Sequence, residues 1–141
     1  MQTLNTKTHG YIDYSMGIIL IAVAYLLSSQ TESTSSTVLY AVGALAIVYS
    51  LLTNYELGFL KIIPIKLHLM LDTNLSIFLA ASPWLLGFDD KVFLPHLILG
   101  LMGIGAAILT NIKPEWYQNK KIKLRKRKNR ISNIKMHQGI Y

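Results

Sequence analysis

The chain lacks cysteine and carries few charged residues. None of its 141 residues is cysteine, and Asp, Glu, Lys and Arg together make up only 15% of them. Without a thiol the protein can form no disulfide, thiolate metal site or cysteine nucleophile. So little charge is atypical of a soluble domain, and a hydrophobic fraction of 52% with a mean hydropathy of +0.38 favours a membrane protein.

The common signatures of catalysis are also missing. The sequence contains no Gly-rich phosphate loop, no Gly-x-Ser-x-Gly and no His-Glu-x-x-His. We therefore expect no catalytic residues, no cofactor and no enzymatic activity.

What the chain does contain is long apolar runs. A membrane helix needs roughly 20 apolar residues, and four stretches approach that length: Gly10–Ser29, Thr37–Tyr55, Leu67–Phe88 and Val92–Ile112. None has the polar face that a helix of a soluble bundle needs to meet water. The first is too long for a secretory signal and contains Asp13, so we expect it to be retained. The sequence thus predicts an all-α membrane protein with four transmembrane helices.

These stretches repeat as pairs. His9–Leu27 aligns without gaps with His68–Leu86 at an offset of 59, and Gly43–Asn54 aligns with Gly100–Asn111 at an offset of 57. The repeating unit is a helical hairpin, and an even number of helices per unit makes the two hairpins parallel repeats. We expect hairpins over residues 1–56 and 57–112, followed by a basic tail over 113–141.

Small residues recur on the second helix of each hairpin. Their i, i+4 spacing lets helix backbones approach closely in lipid. Ala46 and Ser50 in the first hairpin have this spacing and match Gly103 and Ala107 in the second, and Gly43 and Gly100 extend the same faces. We expect close helix contacts along these faces.

The cations predict the orientation in the membrane. Ten of the fourteen Lys and Arg follow the fourth stretch, and only Lys91 lies in the short loops 30–36 and 89–91. Those loops instead contain Glu32, Asp89 and Asp90. By the positive-inside rule, both termini and the middle loop are cytoplasmic. We expect a multi-pass protein of the plasma (inner) membrane.

A proline interrupts the third stretch, in Ser82-Pro83-Trp84. Proline deprives the carbonyl of Leu79 of its usual donor and kinks the helix. The Ser82 hydroxyl can fold back onto the Phe78 carbonyl, and Trp84 suits the membrane boundary. His96 lies at a similar depth, so we expect it to bond Ser82 or the Leu79 carbonyl in a packing role.

This motif resembles the SPW repeat family, small membrane proteins built from hairpins of this kind. The resemblance is strongest over Leu71–Leu109, where Ser-Pro-Trp is followed by a Leu-Gly-Phe exit and a glycine-rich return helix. The matching positions of the first hairpin are Val23, Ala24 and Tyr25, so a kink is not expected there. The resemblance implies a fold and a location but no reaction.

Each hairpin opens with His-x-x-x-Asp. This spacing places His9 and Asp13, and likewise His68 and Asp72, on one helix face. Thr and Asn end the second helix of each hairpin at a similar depth, which predicts one polar cluster per hairpin; the residues are Thr53, Asn54, Thr110 and Asn111.

These clusters have a functional and a structural interpretation. An intramembrane carboxylate beside an imidazole can accept protons or bind ions. At a helix start, however, Asp also stabilises the macrodipole and can stay hydrated. We favour the structural interpretation. A metal ion is disfavoured because the two pairs lie on different hairpins and nothing in the sequence brings them together.

The tail is strongly basic. Cations directly after a cytoplasmic helix end attract anionic lipid, and the candidate lipid-binding residues are Lys120, Lys121, Lys123, Arg125, Lys126, Arg127, Lys128 and Arg130. Such a run can also neutralise the phosphates of nucleic acid, but no fold for reading bases accompanies it. We therefore expect lipid binding rather than nucleic-acid binding.

Two functional classes fit the sequence. One is a structural or accessory membrane component, which we favour. The other is a small proton- or ion-conducting transporter or channel subunit that uses Asp13, Asp72 and His96. The chain is too small to form a solute pathway alone, so we expect a homo-oligomer or a membrane protein partner.

Overall fold

Five helices account for most of the chain. The computed structural model describes residues 4–29, 33–111 and 115–137, which are helical apart from loops and two isolated bridges. In chain order the helices are α1 (Thr6–Ser28), α2 (Ser33–Leu52), α3 (Ile65–Leu86), α4 (Leu94–Leu109) and α5 (Glu115–His137). The predicted all-α class is confirmed. Glu32, Ile112 and Lys113, which entered the predicted topology, lie outside the described residues.

Three helices are long and apolar enough to cross a membrane. They are α1 with 23 residues, α2 over the 19 residues Thr34–Leu52, and α3 with 22. Helix α4 has 16 residues, about 24 Å at 1.5 Å per residue, against a hydrocarbon core of roughly 30 Å. Three of the four predicted spans are thus matched by helix length, and the fourth stays a prediction.

Helices α1 to α4 form a closed ring. α1 packs along α2 and α3 along α4 as two hairpins, while α2 meets α3 and α1 meets α4. The hairpins are tightly packed, because a Cβ on Gly43 would lie 2.9 Å from the carbonyl oxygen of Gly17, and one on Gly100 would lie 2.7 Å from that of Ser76. The predicted close approach at these two glycines is confirmed.

One end of the ring is held by two backbone bridges and is called the bridge end. Leu4 accepts from the Asn111 amide at 2.8 Å and donates to the Leu109 carbonyl at 3.0 Å. Ile63 makes the matching bonds, accepting from Asn54 at 2.8 Å and donating to the Leu52 carbonyl at 2.9 Å. Each hairpin is thereby tied, just before its first helix, to the end of the other hairpin.

The opposite end, where α1 turns into α2 and α3 into α4, is called the turn end. An apolar core fills the ring towards it and includes Leu20, Ala24, Leu39, Val42, Leu79 and Phe88. Helix α3 continues through Pro83 and ends at Gly87, whose φ of 69° is the left-handed conformation that suits glycine at a helix end.

The outer surface of the ring is largely apolar. Large hydrophobic side chains are exposed on all four helices, among them Ile18, Val48, Ile77 and Ile108. An exposed apolar surface of this extent is what a lipid environment covers. In α5, by contrast, every side chain described is exposed, including all eight candidate lipid-binding residues.

Candidate functional site

The polar side chains of α1 and α3 meet inside the bridge end. Asn5 caps α1 by accepting from the Thr8 amide at 2.7 Å, so His9 and Asp13 occupy the first two turns of a well-started helix. His68 and Asp72 occupy the corresponding turns of α3. In both helices the i, i+4 spacing directs the pair to one face, and both faces point into the ring.

The four side chains form one cluster, here called the His–Asp cluster. His9 Nε2 lies 2.8 Å from Asp72 Oδ2, and His68 Nε2 lies 2.9 Å from Asp13 Oδ2. The separations within each helix are longer, 3.4 Å for His9 to Asp13 and 3.2 Å for His68 to Asp72. The expectation of one separate cluster per hairpin is therefore wrong, because each histidine pairs most closely with the aspartate of the other hairpin.

The cluster is buried within protein. His9 and His68 are 1% and 0% exposed, and both aspartates are 7% exposed. The expected hydration of the two carboxylates at the membrane boundary is thus not what the structure has. Closure of the ring replaces that water with imidazole and hydroxyl groups, as burial of charged or polar groups requires.

Two threonines hold the histidine rings from behind. The Thr53 hydroxyl lies 2.8 Å from His68 Nδ1, and the Thr110 hydroxyl lies 2.9 Å from His9 Nδ1. These contacts also cross between hairpins, since Thr110 ends the second hairpin and His9 begins the first. Asn54 and Asn111 contribute their backbone amides to the bridges described above, and the Asn54 side chain is exposed.

The threonine geometry fixes the hydrogen on each ring. Each hydroxyl is placed to donate to the carbonyl four residues earlier, Thr53 to Tyr49 at 2.7 Å and Thr110 to Ala106 at 2.6 Å. A hydroxyl has one hydrogen, so towards the imidazole each threonine can only accept. Nδ1 of both histidines therefore carries a hydrogen, and both Nε2 atoms face the carboxylates.

Helix α2 supplies two residues that the sequence analysis missed as site residues. The Tyr49 hydroxyl donates to Asp72 Oδ1, and the Ser50 hydroxyl lies 3.5 Å from Asp13 Oδ2. Ser50 was predicted only as a small packing residue. The sequence could have identified both residues, because they precede Thr53 by about one helical turn and are polar positions in an apolar run. The matching positions of the second hairpin are Ala106 and Ala107, whose side chains have no hydrogen-bonding group, so α4 has no counterpart of these two hydroxyl groups.

The loop after α2 covers the cluster at the bridge end. Tyr55 is 1% exposed and its ring centroid lies 5.5 Å from that of His68. Gly10 makes room for it, since a Cβ there would lie 2.1 Å from Tyr55 Cε2. The loop is held by a 2.6 Å hydrogen bond from the Thr6 hydroxyl to Glu56. The side of the cluster facing the loop is thereby closed by an aromatic ring.

A small cavity lies on the other side of the cluster, towards the middle of the ring. It measures about 40 Å³ and is lined by His9, Asp13 and Asp72 together with apolar side chains such as Leu20 and Leu79. This volume suits about one water molecule. A ligand of ionic size therefore fits beside the cluster.

The turn end does not contain the predicted contact between Ser82 and His96. Ser82 donates to the Leu79 carbonyl at 2.8 Å, which is the carbonyl that Pro83 deprives of its donor, rather than to Phe78 as predicted. His96 Nε2 lies 3.2 Å from the Ser35 carbonyl and its ring packs on Phe88. Since Ser82 already satisfies Leu79, His96 links α4 to the start of α2 instead.

Trp84 lies on the outer surface at the turn end. Its side chain is 52% exposed and its ring centroid is 5.8 Å from that of Phe93. The motif residues therefore stay near the turn end, and the structure does not bring Ser82, Trp84 or His96 to the His–Asp cluster.

Fold and surface together define a class of protein. An all-helical ring with a largely apolar exterior, three helices long enough to cross a membrane and its histidine and aspartate side chains buried inside is a helical membrane protein.

Comparison with known families gives the particular assignment: the chain belongs to the SPW repeat family, since the model of the SPW repeat domain matches residues 7–110. The match includes both hairpins and so extends well beyond the predicted resemblance over Leu71–Leu109. Proteins of this family are generally membrane proteins, and the membership brings no reaction with it. Comparison with curated proteins and with solved structures gives no match.

Proposed function

We propose that the protein is a structural or accessory component of the plasma membrane and not an enzyme. The observation that carries this proposal is the apolar filling of the ring between the His–Asp cluster and the turn end. Leu20, Ala24, Leu39 and Leu79 occupy that region and are at most 2% exposed. Among the described residues, these side chains leave an ion no polar route through the middle of a single chain.

The alternative is a small proton- or ion-conducting subunit, and one observation favours it. The cluster combines buried carboxylates and imidazoles with an adjoining cavity of about 40 Å³, and such groups commonly serve proton relays. The apolar region above the cavity argues against conduction along the ring axis. His96, the third residue of this hypothesis, bonds a backbone carbonyl at the turn end and does not extend the relay.

Proton flux separates these two functions. We expect proteoliposomes that contain the wild-type protein to hold an imposed pH gradient as long as empty liposomes do. The matched control is the double variant Asp13→Asn, Asp72→Asn, which has the same shape without the charges. Faster decay with the wild type that is lost in the variant would overturn the structural proposal in favour of conduction.

The proposed topology has four membrane helices with both termini in the cytoplasm. It is supported by the excess of Lys and Arg at the bridge end and after α4. Reporter fusions test it: we expect a cytoplasmic signal at Tyr141 and an extracytoplasmic one in the loop 89–91. Appearance of the Tyr141 fusion outside the cell would contradict the proposal.

We further propose that α5 lies against anionic lipid. Its eight candidate residues are all cationic and exposed, and each contributes about 1 kcal/mol near an anionic surface. Because the chain has no cysteine, Ser132→Cys provides a single site for an environment-sensitive dye in the intact protein. We expect a blue shift of the dye in nanodiscs with anionic lipid, reversed by salt, and none in neutral nanodiscs. A response to oligonucleotides alone would favour nucleic acid instead.

We also propose that the protein acts as a homo-oligomer or together with another membrane protein. The exposed apolar faces of α1 to α4 support it, since they offer surface to other membrane helices as readily as to lipid. Cross-linking in native membranes, followed by size analysis, would distinguish a multiple of the 15.9 kDa chain from a complex with another protein.

A further inference from the structure

We propose that the His–Asp cluster binds one divalent transition-metal ion, best matched by Zn²⁺, through Nε2 of His9 and His68 and one carboxylate oxygen each from Asp13 and Asp72. The sequence analysis disfavoured a metal because the two pairs lie on different hairpins. The structure removes that reason, since the four candidate ligand atoms all lie within 4.8 Å of one another.

The hydrogen positions are the first step of the argument. Thr53 and Thr110 fix a hydrogen on Nδ1 of each histidine, so a neutral ring presents the Nε2 lone pair to the carboxylates. At the observed 2.8 and 2.9 Å, a lone pair facing an ionised carboxylate is repulsive. Something positive must lie between each histidine and its aspartate, and the choices are a proton or a metal cation.

The geometry suits a single tetrahedral ion. With bonds of about 2.0 to 2.1 Å, the ligands of Zn²⁺ lie roughly 3.3 Å from one another. Asp72 Oδ2 lies 2.8 and 3.2 Å from the two histidine Nε2 atoms, and Asp13 lies 2.9 Å from one of them through Oδ2 and 3.4 Å from the other through Oδ1. These separations lie within about half an ångström of the zinc value, and all four ligand atoms lie within 4.8 Å of one another, so small shifts of the side chains bring them around one ion.

The surroundings match those of known metal sites. A metal-binding histidine normally donates its other ring hydrogen to a fixed acceptor, which sets the tautomer and the ring orientation. Thr53 and Thr110 are such acceptors, and Tyr49 similarly holds the second oxygen of Asp72. Neither threonine can donate to the imidazole without losing its hydrogen bond to the helix carbonyl.

Charge balance also supports a divalent ion. Two carboxylates and two neutral imidazoles sum to −2, which one divalent cation neutralises inside a buried site. Without metal the same neutrality requires two protons in the cluster. Binding therefore exchanges one metal ion for two protons, and affinity rises with pH.

The ligand types select among cations. Two nitrogen and two oxygen donors suit Zn²⁺ and its close substitute Co²⁺. Mg²⁺ and Ca²⁺ prefer oxygen donors throughout and a larger number of them. The site should therefore take Zn²⁺ in the presence of excess Mg²⁺.

Metal content of the intact protein is the direct test. The full chain is purified in detergent without a histidine tag, stripped with a chelator, incubated with Zn²⁺ in excess Mg²⁺ and desalted. We expect one Zn²⁺ per chain by elemental analysis, and visible absorption typical of a tetrahedral ion when Co²⁺ replaces it. In weak buffer, pH-indicator measurements should show release of two protons per ion.

Variants locate the site. His9→Ala with His68→Ala should abolish binding, whereas His96→Ala, the matched control at the turn end, should leave one ion per chain. Thr53→Val with Thr110→Val keeps all four ligands and should weaken binding by about 10- to 100-fold, as loss of supporting hydrogen bonds does elsewhere.

Three outcomes would overturn the proposal. They are a wild-type protein that retains far less than one ion, an ion retained by the variant lacking His9 and His68, and an affinity unchanged by the two threonine substitutions. The last decides the question even if the histidine variant does not fold. None of them bears on the structural role proposed above, which does not depend on a metal.

Discussion

The two ends of the four-helix ring bury polar side chains in different ways. At the bridge end, His9 and His68 bond the carboxylates of Asp72 and Asp13, side chain to side chain and hairpin to hairpin. At the turn end, Ser82 and His96 bond backbone carbonyls. A backbone carbonyl is present whatever the sequence, whereas the bridge-end network forms only with these residue types at these positions.

This difference separates a site from packing. At the turn end, Ser82 is satisfied by the Leu79 carbonyl, and His96 bonds the Ser35 carbonyl through Nε2 while its Nδ1 is buried without a hydrogen-bond partner among the described residues. The His–Asp cluster, by contrast, concentrates four ionisable groups that, in the described part of the chain, bond one another and the hydroxyl groups of threonine, tyrosine and serine. The Ser-Pro-Trp motif gives the clearest family signal, yet the His–Asp cluster lies at the opposite end of the ring.

Replacing a cluster histidine should produce the largest effect. His68→Leu leaves the two carboxylates with one imidazole, and breaking a buried ion pair in this way costs about 3 to 5 kcal/mol. The measurement is the free energy of unfolding in detergent with a chelator present, so that metal makes no contribution. His96→Leu is the matched control and should cost about 1 kcal/mol, since it removes one hydrogen bond. Equal losses would refute the contrast between the two ends.

Much of the fold was predictable from the sequence. The length of the apolar stretches alone predicts α1 to α3. In lipid, a single segment can satisfy all its backbone hydrogen bonds only as a helix. The match between Gly43 and Gly100 likewise predicts tight packing, which the separations at both glycines confirm. The shortness of α4 was not predictable, since Thr110 and Asn111 leave the helix to pair with Leu4, a contact remote in sequence.

The site was predictable only in part. The i, i+4 spacing identifies the pairs within α1 and α3, but their crossing depends on how the hairpins close into a ring. That closure is set by the bridges at Leu4 and Ile63, which involve backbone and leave no mark on residue type. Tyr49 escaped notice because a tyrosine near the end of a membrane helix usually serves as an interfacial aromatic.

Tyr49→Phe should produce the next largest effect. Its hydroxyl donates to a buried carboxylate oxygen of Asp72, and hydrogen bonds to charged groups contribute about 1.5 to 3 kcal/mol. Unfolding in detergent measures the loss. The control is Tyr40→Phe in the same helix, where the side chain is 36% exposed and no change is expected. An unchanged free energy of unfolding for Tyr49→Phe would show that the Tyr49 hydroxyl does not stabilise the cluster.

A double-mutant cycle tests the crossing itself. We expect His9→Ala and Asp72→Asn to couple by about 1 to 2 kcal/mol, and His9→Ala and Asp13→Asn by less, because contacting residues couple most strongly. The structural basis is the shorter separation to Asp72, 2.8 Å against 3.4 Å. Stronger coupling within α1 than between α1 and α3 would mean that the two hairpins do not meet as described.

Ser82→Ala should have the smallest effect, about 1 kcal/mol, because it leaves the buried Leu79 carbonyl without the donor that Pro83 already withholds. In a Pro83→Ala background the residue at 83 regains its amide hydrogen, which can bond Leu79 in the ordinary helical way. Ser82→Ala should then cost close to nothing. Unfolding of the four proteins in the same detergent measures the difference. An equal loss of stability in both backgrounds would show that Ser82 acts through side-chain packing. The hydrogen bond to a backbone carbonyl, on which the contrast with the bridge end rests, would then not stabilise the turn end.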